Sequence, residues 1–202
     1  MVTQNVIGLL PGTQSGAGTL LVSAHYDHLG RMGEEVYFPG ANDNASGVAM
    51  LLSLARYFST NPLPYSVLFV AFGAEEAGLL GSQYFVENPP VPLQSIRFML
   101  NLDITGTGEE GIKVVNGKVL PEQFNTLSQI NDQQKLLKQV SARGEACNSD
   151  HCLLYQAGVP AFFVYTLGGI QAYHDPLDRS ETLPLTAFGA VHVLLRQFLA
   201  TL

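Results

Sequence analysis

Ser66-Val67-Leu68-Phe69-Val70-Ala71-Phe72 runs directly into Gly73-Ala74-Glu75-Glu76-Ala77-Gly78. The first seven residues are apolar almost without interruption and rich in Val and Phe. Alternating apolar and polar residues would mark a strand with one wet face. A continuous run marks a strand covered on both faces, as in parallel sheets flanked by helices. Two adjacent carboxylates then follow where the strand ends, and they repel one another unless protons or cations offset them. The stretch predicts a central strand whose carboxyl end carries chemistry.

The surrounding sequence supplies partners for that strand. Asn5 to Leu10 and Thr19 to Ala24 read as strands flanking a Gly-rich turn, and Arg97 to Asp103 and Pro160 to Tyr165 as two more. Asn44 to Phe58 is apolar around nearly its whole circumference, which suits a helix buried against a sheet. Leu79 to Asn88 reads as a helix halted by Pro89-Pro90. Pro121 to Val140 reads as an amphipathic helix with Phe124, Leu127, Leu136, Leu137 and Val140 inside. A last helix starts near Leu185, with Phe188, Val191, Leu195 and Phe198 at helical spacing. This alternation predicts an α/β three-layer sandwich, a mixed and mainly parallel sheet with helices on both faces.

Composition narrows the classes of function. At 202 residues the chain is expected to form one domain, residues 1–202. Hydrophobic residues make up 47% and charged residues 13%, the latter well below the ~25% of an ordinary soluble protein. That excludes disorder. A formal net charge of −7 argues against a broad basic face for nucleic acid. Cys152 to Tyr173 lacks Asp, Glu, Lys and Arg, but Gly158, Pro160 and Gly168-Gly169 interrupt it, so no membrane span is expected. No charged segment followed by an apolar run opens the sequence, so no signal peptide is expected within it.

Ligand-type residues gather where the strands end. Ala24-His25-Tyr26-Asp27-His28 closes one strand, and Asn101-Leu102-Asp103 another. Gly40-Ala41-Asn42-Asp43-Asn44-Ala45-Ser46-Gly47 opens the buried helix, and Tyr173-His174-Asp175-Pro176-Leu177-Asp178 lies in a late loop. Ligands of open α/β sheets bind beyond the carboxyl ends of the strands. One such Asp or Glu is ordinarily a turn or capping residue. Several in one apolar chain, beside Glu75-Glu76, point to a shared site.

With these motifs, and with FGAEEAGLLGS at 72–82 and SDH at 149–151, the chain resembles the co-catalytic two-zinc aminopeptidases of the aminopeptidase Y and bacterial secreted leucyl aminopeptidase type. The motifs extend over most of the chain in the family's order. The resemblance implies a zinc-exopeptidase fold, two zinc ions per chain, a peptide substrate, and a periplasmic or secreted location. It implies that His25 and Asp103 bind one zinc, Glu76 and His174 the other, and that Asp43 bridges them. Glu75 would be the general base, Asp27 would hold the His25 imidazole, and Tyr173 would stabilise the oxyanion. A cis peptide bond is implied between Asp43 and Asn44. Nitrogen and oxygen donors of this kind suit zinc, and two divalent ions offset carboxylates that would otherwise repel.

Other signals carry less. Gly106-Thr107-Gly108-Glu109-Glu110-Gly111 matches GxGxxG, but Ile112 to Gly117 reads as strand and turn where a dinucleotide site needs a helix, so a hairpin-like loop is expected. Ser149-Asp150-His151 names the residue types of a hydrolase triad, yet triad members converge from separate segments, and support of the metal pocket is the expectation. His28 adjoins the proposed site with lining or surface roles open, and His192 is placed with Arg196 on a solvated helix face. Asn44-Ala45-Ser46 is a formal glycosylation sequon inside the metal loop and is discounted. Cys147 and Cys152 fit either a short-loop disulfide or two thiols. A carboxypeptidase or dipeptidase, a glutaminyl cyclase of the same architecture, and a non-catalytic binding module are the competing functions. A carboxypeptidase needs a basic clamp, for which Arg97, Arg143 and Arg179 are the candidates near motifs. A binding module need not keep the full ligand set present here.

Overall fold

A computed structural model describes residues 2–202. Chain order gives β1 (Val6–Leu10), β2 (Thr19–His25), β3 (Gly30–Met32), β4 (Val36–Phe38), α1 (Gly47–Thr60), β5 (Ser66–Phe72), α2 (Leu80–Glu87) and β6 (Ile96–Leu102). There follow β7 (Gly111–Val115), α3 (Pro121–Gln134), β8 (Val140–Ala142), α4 (His151–Gln156), β9 (Ala161–Leu167) and α5 (Phe188–Ala200). The main sheet has seven strands in the order β1-β5-β2-β6-β9-β7-β8. Its centre, β5-β2-β6-β9, is parallel, while β1 runs antiparallel to β5 and β7 antiparallel to β9.

Helices cover both faces, as the sequence predicts. Leu54, Leu127, Val191, Leu195 and Phe198 bring α1, α3 and α5 into one core with Val22, Leu100 and Phe162 of the sheet. Phe85 and Leu154 bring α2 and α4 against Leu21, Leu68, Val70 and Met99 on the other face. Because β5 is buried from both sides, its side chains alternate between the two cores, Val67 and Phe69 into one and Leu68 and Val70 into the other.

The two strands expected around the Gly-rich turn, β1 and β2, form as read and lie on either side of β5. Several expectations shift. The buried helix starts at Gly47, since Ala41–Ser46 forms a separate irregular turn. The long helix expected to reach Val140 ends at Gln134, and Lys135 turns left-handed at φ 53°. The Asn131 side chain then binds the Leu137 backbone at both N–H and carbonyl, and Val140 opens β8. The GxGxxG stretch is no hairpin, because β9 separates β6 from β7. The last helix begins at Phe188 rather than near Leu185. Among the described residues, no helix is long and apolar enough to cross a membrane.

Candidate metal centre

Parallel strands all release their chain at the same edge of a sheet, so β2, β5 and β6 deliver His25, Glu75-Glu76 and Asp103 to one place. His25, Asp43 and Asp103 are all buried. His25 Nε2 lies 3.3 Å from Asp43 Oδ1 and 3.4 Å from Asp103 Oδ1. The other Asp43 oxygen, Oδ2, lies 3.3 Å from His174 Nε2, which is 3.2 Å from Glu76 Oε2. The structure thus brings the five sequence-predicted donors together around two adjoining points, with Asp43 facing both.

The donor set fits a cation. The His25 ring sets its Nδ1 3.1 Å from the carbonyl oxygen of Asp27, which can only accept, so Nδ1 carries the proton. In the neutral ring Nε2 is then a bare lone pair facing two carboxylate oxygens, an arrangement only a positive charge satisfies. Oδ1 of Asp103 and Oε1 of Glu76 are buried without any hydrogen bond. A proton is the next-best occupant at Nε2: burial pulls the imidazole pKa down, but the Asp103 and Asp43 carboxylates outweigh it and hold it at about 12. Burial likewise raises Asp103 above the usual carboxylate range, against the pull of His25.

Asp27 departs from its expected contact. Its carboxylate is 3.8 Å from His25 Nδ1, and the backbone carbonyl is what orients the ring. The carboxylate instead accepts the backbone N–H groups of Glu75 and Glu76 at 3.0 and 3.1 Å, fixing the turn that carries both. Glu75 is pushed up to about 8, chiefly by burial, with His25 opposing and Asp150, Asp103 and Glu76 adding. Tyr173 is 66% exposed and stacks on His174 with ring centroids 3.9 Å apart. Burial and then the carboxylates raise its phenol to about 12.

The bridging loop is held by residues to which the sequence gave no role. Buried Asp178 accepts the N–H of Asn42 at 2.8 Å and that of Asp43 at 2.9 Å. The Asn44 side chain donates to the Leu102 carbonyl and accepts from Gly47 and Ile104 N–H. Gly47 must lack a side chain, since a Cβ there would meet Asn44 Oδ1 at 2.1 Å. The Asp43–Asn44 bond is cis. Gly106 of the discounted GxGxxG stretch gives its N–H to Asn42, so that loop braces the centre.

Ser149-Asp150-His151 also lies behind the centre and is buried. Ser23 Oγ donates to Asn101 Oδ1 at 2.7 Å, Asn101 Nδ2 to Ser149 Oγ at 2.8 Å, and Ser149 Oγ to Asp103 Oδ2 at 3.3 Å. That chain orients the Asp103 carboxylate, and Asn101 is its hub. His151 gives no triad: its Nε2 lies 2.9 Å from the Ala146 carbonyl, and burial lowers its pKa to about 4. Cys147 and Cys152 form a disulfide across this segment. His192 is not solvated as expected; it is half-buried edge-on to Tyr57, with Nε2 out of water.

A cavity of about 340 Å³ opens beside Asp43 and Tyr173, walled by Ile104, Tyr165, Leu167 and Ile170. A larger one, about 450 Å³, lies between β1 and α2 against Ile7, Leu80 and Tyr84. It contains no carboxylate, imidazole or thiol, so the smaller cavity is the one placed for chemistry.

The model of peptidase family M28 matches residues 5–199. Aminopeptidase YwaD of Bacillus subtilis is 32% identical over 188 residues, 89% of this chain and 40% of that protein. A probable leucine aminopeptidase of Arthroderma otae is 34% identical over 184 residues, 79% of this chain and 45% of that protein. The chain therefore spans less than half the length of these relatives. Among solved structures, BSAP, a zinc aminopeptidase from Bacillus subtilis, superposes with a TM-score of 0.81 at 25% identity, over 98% of this chain and 49% of that one. Glutaminyl cyclase of Porphyromonas gingivalis also superposes, with a TM-score of 0.81 at 21% identity, over 98% and 77%. At that identity the likeness concerns the fold alone.

Proposed function

The chain belongs to peptidase family M28, and on that premise we propose that it is a zinc-dependent aminopeptidase cleaving the first peptide bond of chains with a free α-amine. The observation that carries the reading is the pair of adjoining donor clusters, His25-Asp43-Asp103 and His174-Asp43-Glu76, sharing one carboxylate. Two zinc ions are the proposed occupants, with His25 and Asp103 at the first position, Glu76 and His174 at the second, and Asp43 at both. Residues 1–202 act as one catalytic domain, and the Cys147–Cys152 disulfide supports an oxidising, periplasmic or extracellular setting.

When bound, such a metal pair supplies Lewis acidity and lowers the pKa of a coordinated water to about 7. The chain's own residues do the rest. Glu75 takes a proton from the attacking water at its carboxylate and returns it to the leaving amine. Its raised pKa suits both transfers, and cations nearby draw that value down toward neutrality. Asp27 keeps Glu75 and Glu76 in register through their backbone N–H groups. Tyr173 keeps its proton throughout the neutral range and is available as a donor to a developing oxyanion. The walls of the smaller cavity favour an apolar first side chain.

A terminal carboxylate would need a basic clamp. Arg97 is committed to the carbonyls of Ala17 and Leu202, at the opposite edge of the sheet, and Arg143 follows β8, the edge strand three places from β6. That leaves Arg179, whose Nε binds the Pro176 carbonyl, as the one candidate near the centre. The test is amino-acid release from a Leu-initiated peptide by zinc-loaded protein, beside the same peptide N-acetylated. Release from the free amine alone is expected. Equal release from both, or none from either with zinc bound, would refute the reading and return cyclase, carboxypeptidase or binding roles.

A further inference from the structure

His28 has no assigned part in this centre, yet the structure sets it against the second cluster. It follows β2 by three residues, and its side chain is nine-tenths buried, at 9% relative exposure. Nδ1 lies 2.9 Å from Glu76 Oε1, but neither atom has a hydrogen-bond partner, because the pair lacks the direction of one. Two buried polar atoms at that separation, each unsatisfied, point at space rather than at each other. One donor atom from each of His28, Asp43 and Glu76 lies within 4.8 Å of the other two. The ring stands edge-on to His174, with centroids 5.8 Å apart, so the two imidazoles flank the same carboxylates.

The backbone opposite is shaped for this ring. Gly40, which starts the loop bearing Asp43, is left-handed at φ 65°, and a Cβ there would come within 2.7 Å of His28 Cγ. Glycine at that position lets the imidazole sit flush against the loop. The two clusters also differ in a way His28 corrects. The first is built wholly from buried side chains, whereas the second relies on His174, 36% exposed and carried by a loop.

We propose that His28 is a fourth protein donor to the second cation position, joining Asp43, Glu76 and His174. It adds a nitrogen from a nine-tenths buried side chain to a position whose other imidazole, His174, is 36% exposed. Zinc accepts imidazole nitrogen readily and expands to five-coordination, so four protein donors still leave room for water or substrate. This inference rests on the two-metal reading above.

The test titrates the metal-free full chain with Zn²⁺ against a chromophoric chelator, and with Co²⁺ followed by its visible spectrum. In His28→Ala one of the two zinc constants is expected to weaken about 10–100-fold, the scale of losses around metal sites. The other should hold, and the Co²⁺ bands of the affected position should change. Should His28→Ala fail to fold, His28→Asn keeps a polar atom near Nδ1 and reads the same constants. Unchanged constants would overturn the proposal. So would a weakened constant with an unchanged Co²⁺ spectrum, which makes His28 only a neighbour of Glu76. Wild-type protein that binds no zinc refutes the two-metal reading itself, whereas two zinc ions held equally by wild type and variant refute only His28's part.

Discussion

The two halves of the centre are made from different material. His25 and Asp103 stand at the ends of β2 and β6, are almost wholly buried, and are backed by the Ser23-Asn101-Ser149 chain. His174 and Tyr173 stand on the loop between β9 and α5, where Tyr173 is 66% and the His174 side chain 36% exposed. A buried half cannot relax when a charge is removed, because protein packs against every side of it. An open half can, because water replaces whatever leaves. The contrast assigns stability to one half and substrate access to the other.

The widest gap should appear on truncating the two imidazoles. His25→Ala strips the nitrogen from between two buried carboxylates, and breaking a buried pair of this kind costs roughly 3–5 kcal/mol. Denaturant unfolding of metal-free protein should show that loss. His174→Ala should move the same metal-free curve by only about 0.5 kcal/mol, while in a separate titration zinc binding weakens at the second position. Equal costs for the two would break the comparison.

A pH series sharpens it on the buried side. Folding holds His151 at about 4 from an ordinary 6.5, so the unfolded chain binds the extra proton between those values. Its contribution is complete above pH 6.5 and is lost as pH falls toward 4, on the order of 3 kcal/mol in all. Unfolding free energies of wild type and His151→Asn across that window should diverge with pH. Parallel curves would show that His151 titrates normally.

Smaller effects should separate the halves again. Ser149→Ala removes the donor to Asp103 and should weaken zinc about 10–100-fold at the first position alone. Asp178→Asn disturbs the loop that aims Asp43, which both positions share, and should weaken both by a similar factor. Competition titration reads both variants, and a loss at one position only in Asp178→Asn would contradict the shared role of that loop.

What the sequence made legible follows the same division. Donors were readable because their types are rare in so apolar a chain, and His25, Glu76 and Asp103 close or shortly follow a strand. Supporting residues were not. Asp178 acts on N–H groups 135 and 136 residues away, and no local pattern reports which backbone groups a buried carboxylate will meet. Asn101 lay inside a quoted motif, but its role needs Ser149, brought near by α4 packing behind β6. The resemblance implies that Asp27 holds the His25 imidazole, and no local pattern reports that its carboxylate is taken by the N–H groups of Glu75 and Glu76. Leu136, Leu137 and Val140 continue a helical period past the real helix end because a strand and a turn can bury the same residues once Asn131 captures Leu137. Periodicity reports burial, and burial does not require one continuous element.

The central claim is that this centre holds zinc and that Glu75 moves the proton. It is tested most directly by comparing wild type with Glu75→Gln, counting bound zinc by native mass spectrometry and leucine released from a Leu-initiated peptide in the same samples. Two zinc ions are expected in both proteins, with release falling about 10²–10⁴-fold in the variant. Substantial release by a fully loaded Glu75→Gln protein, or an inactive wild type holding both ions, would contradict that claim.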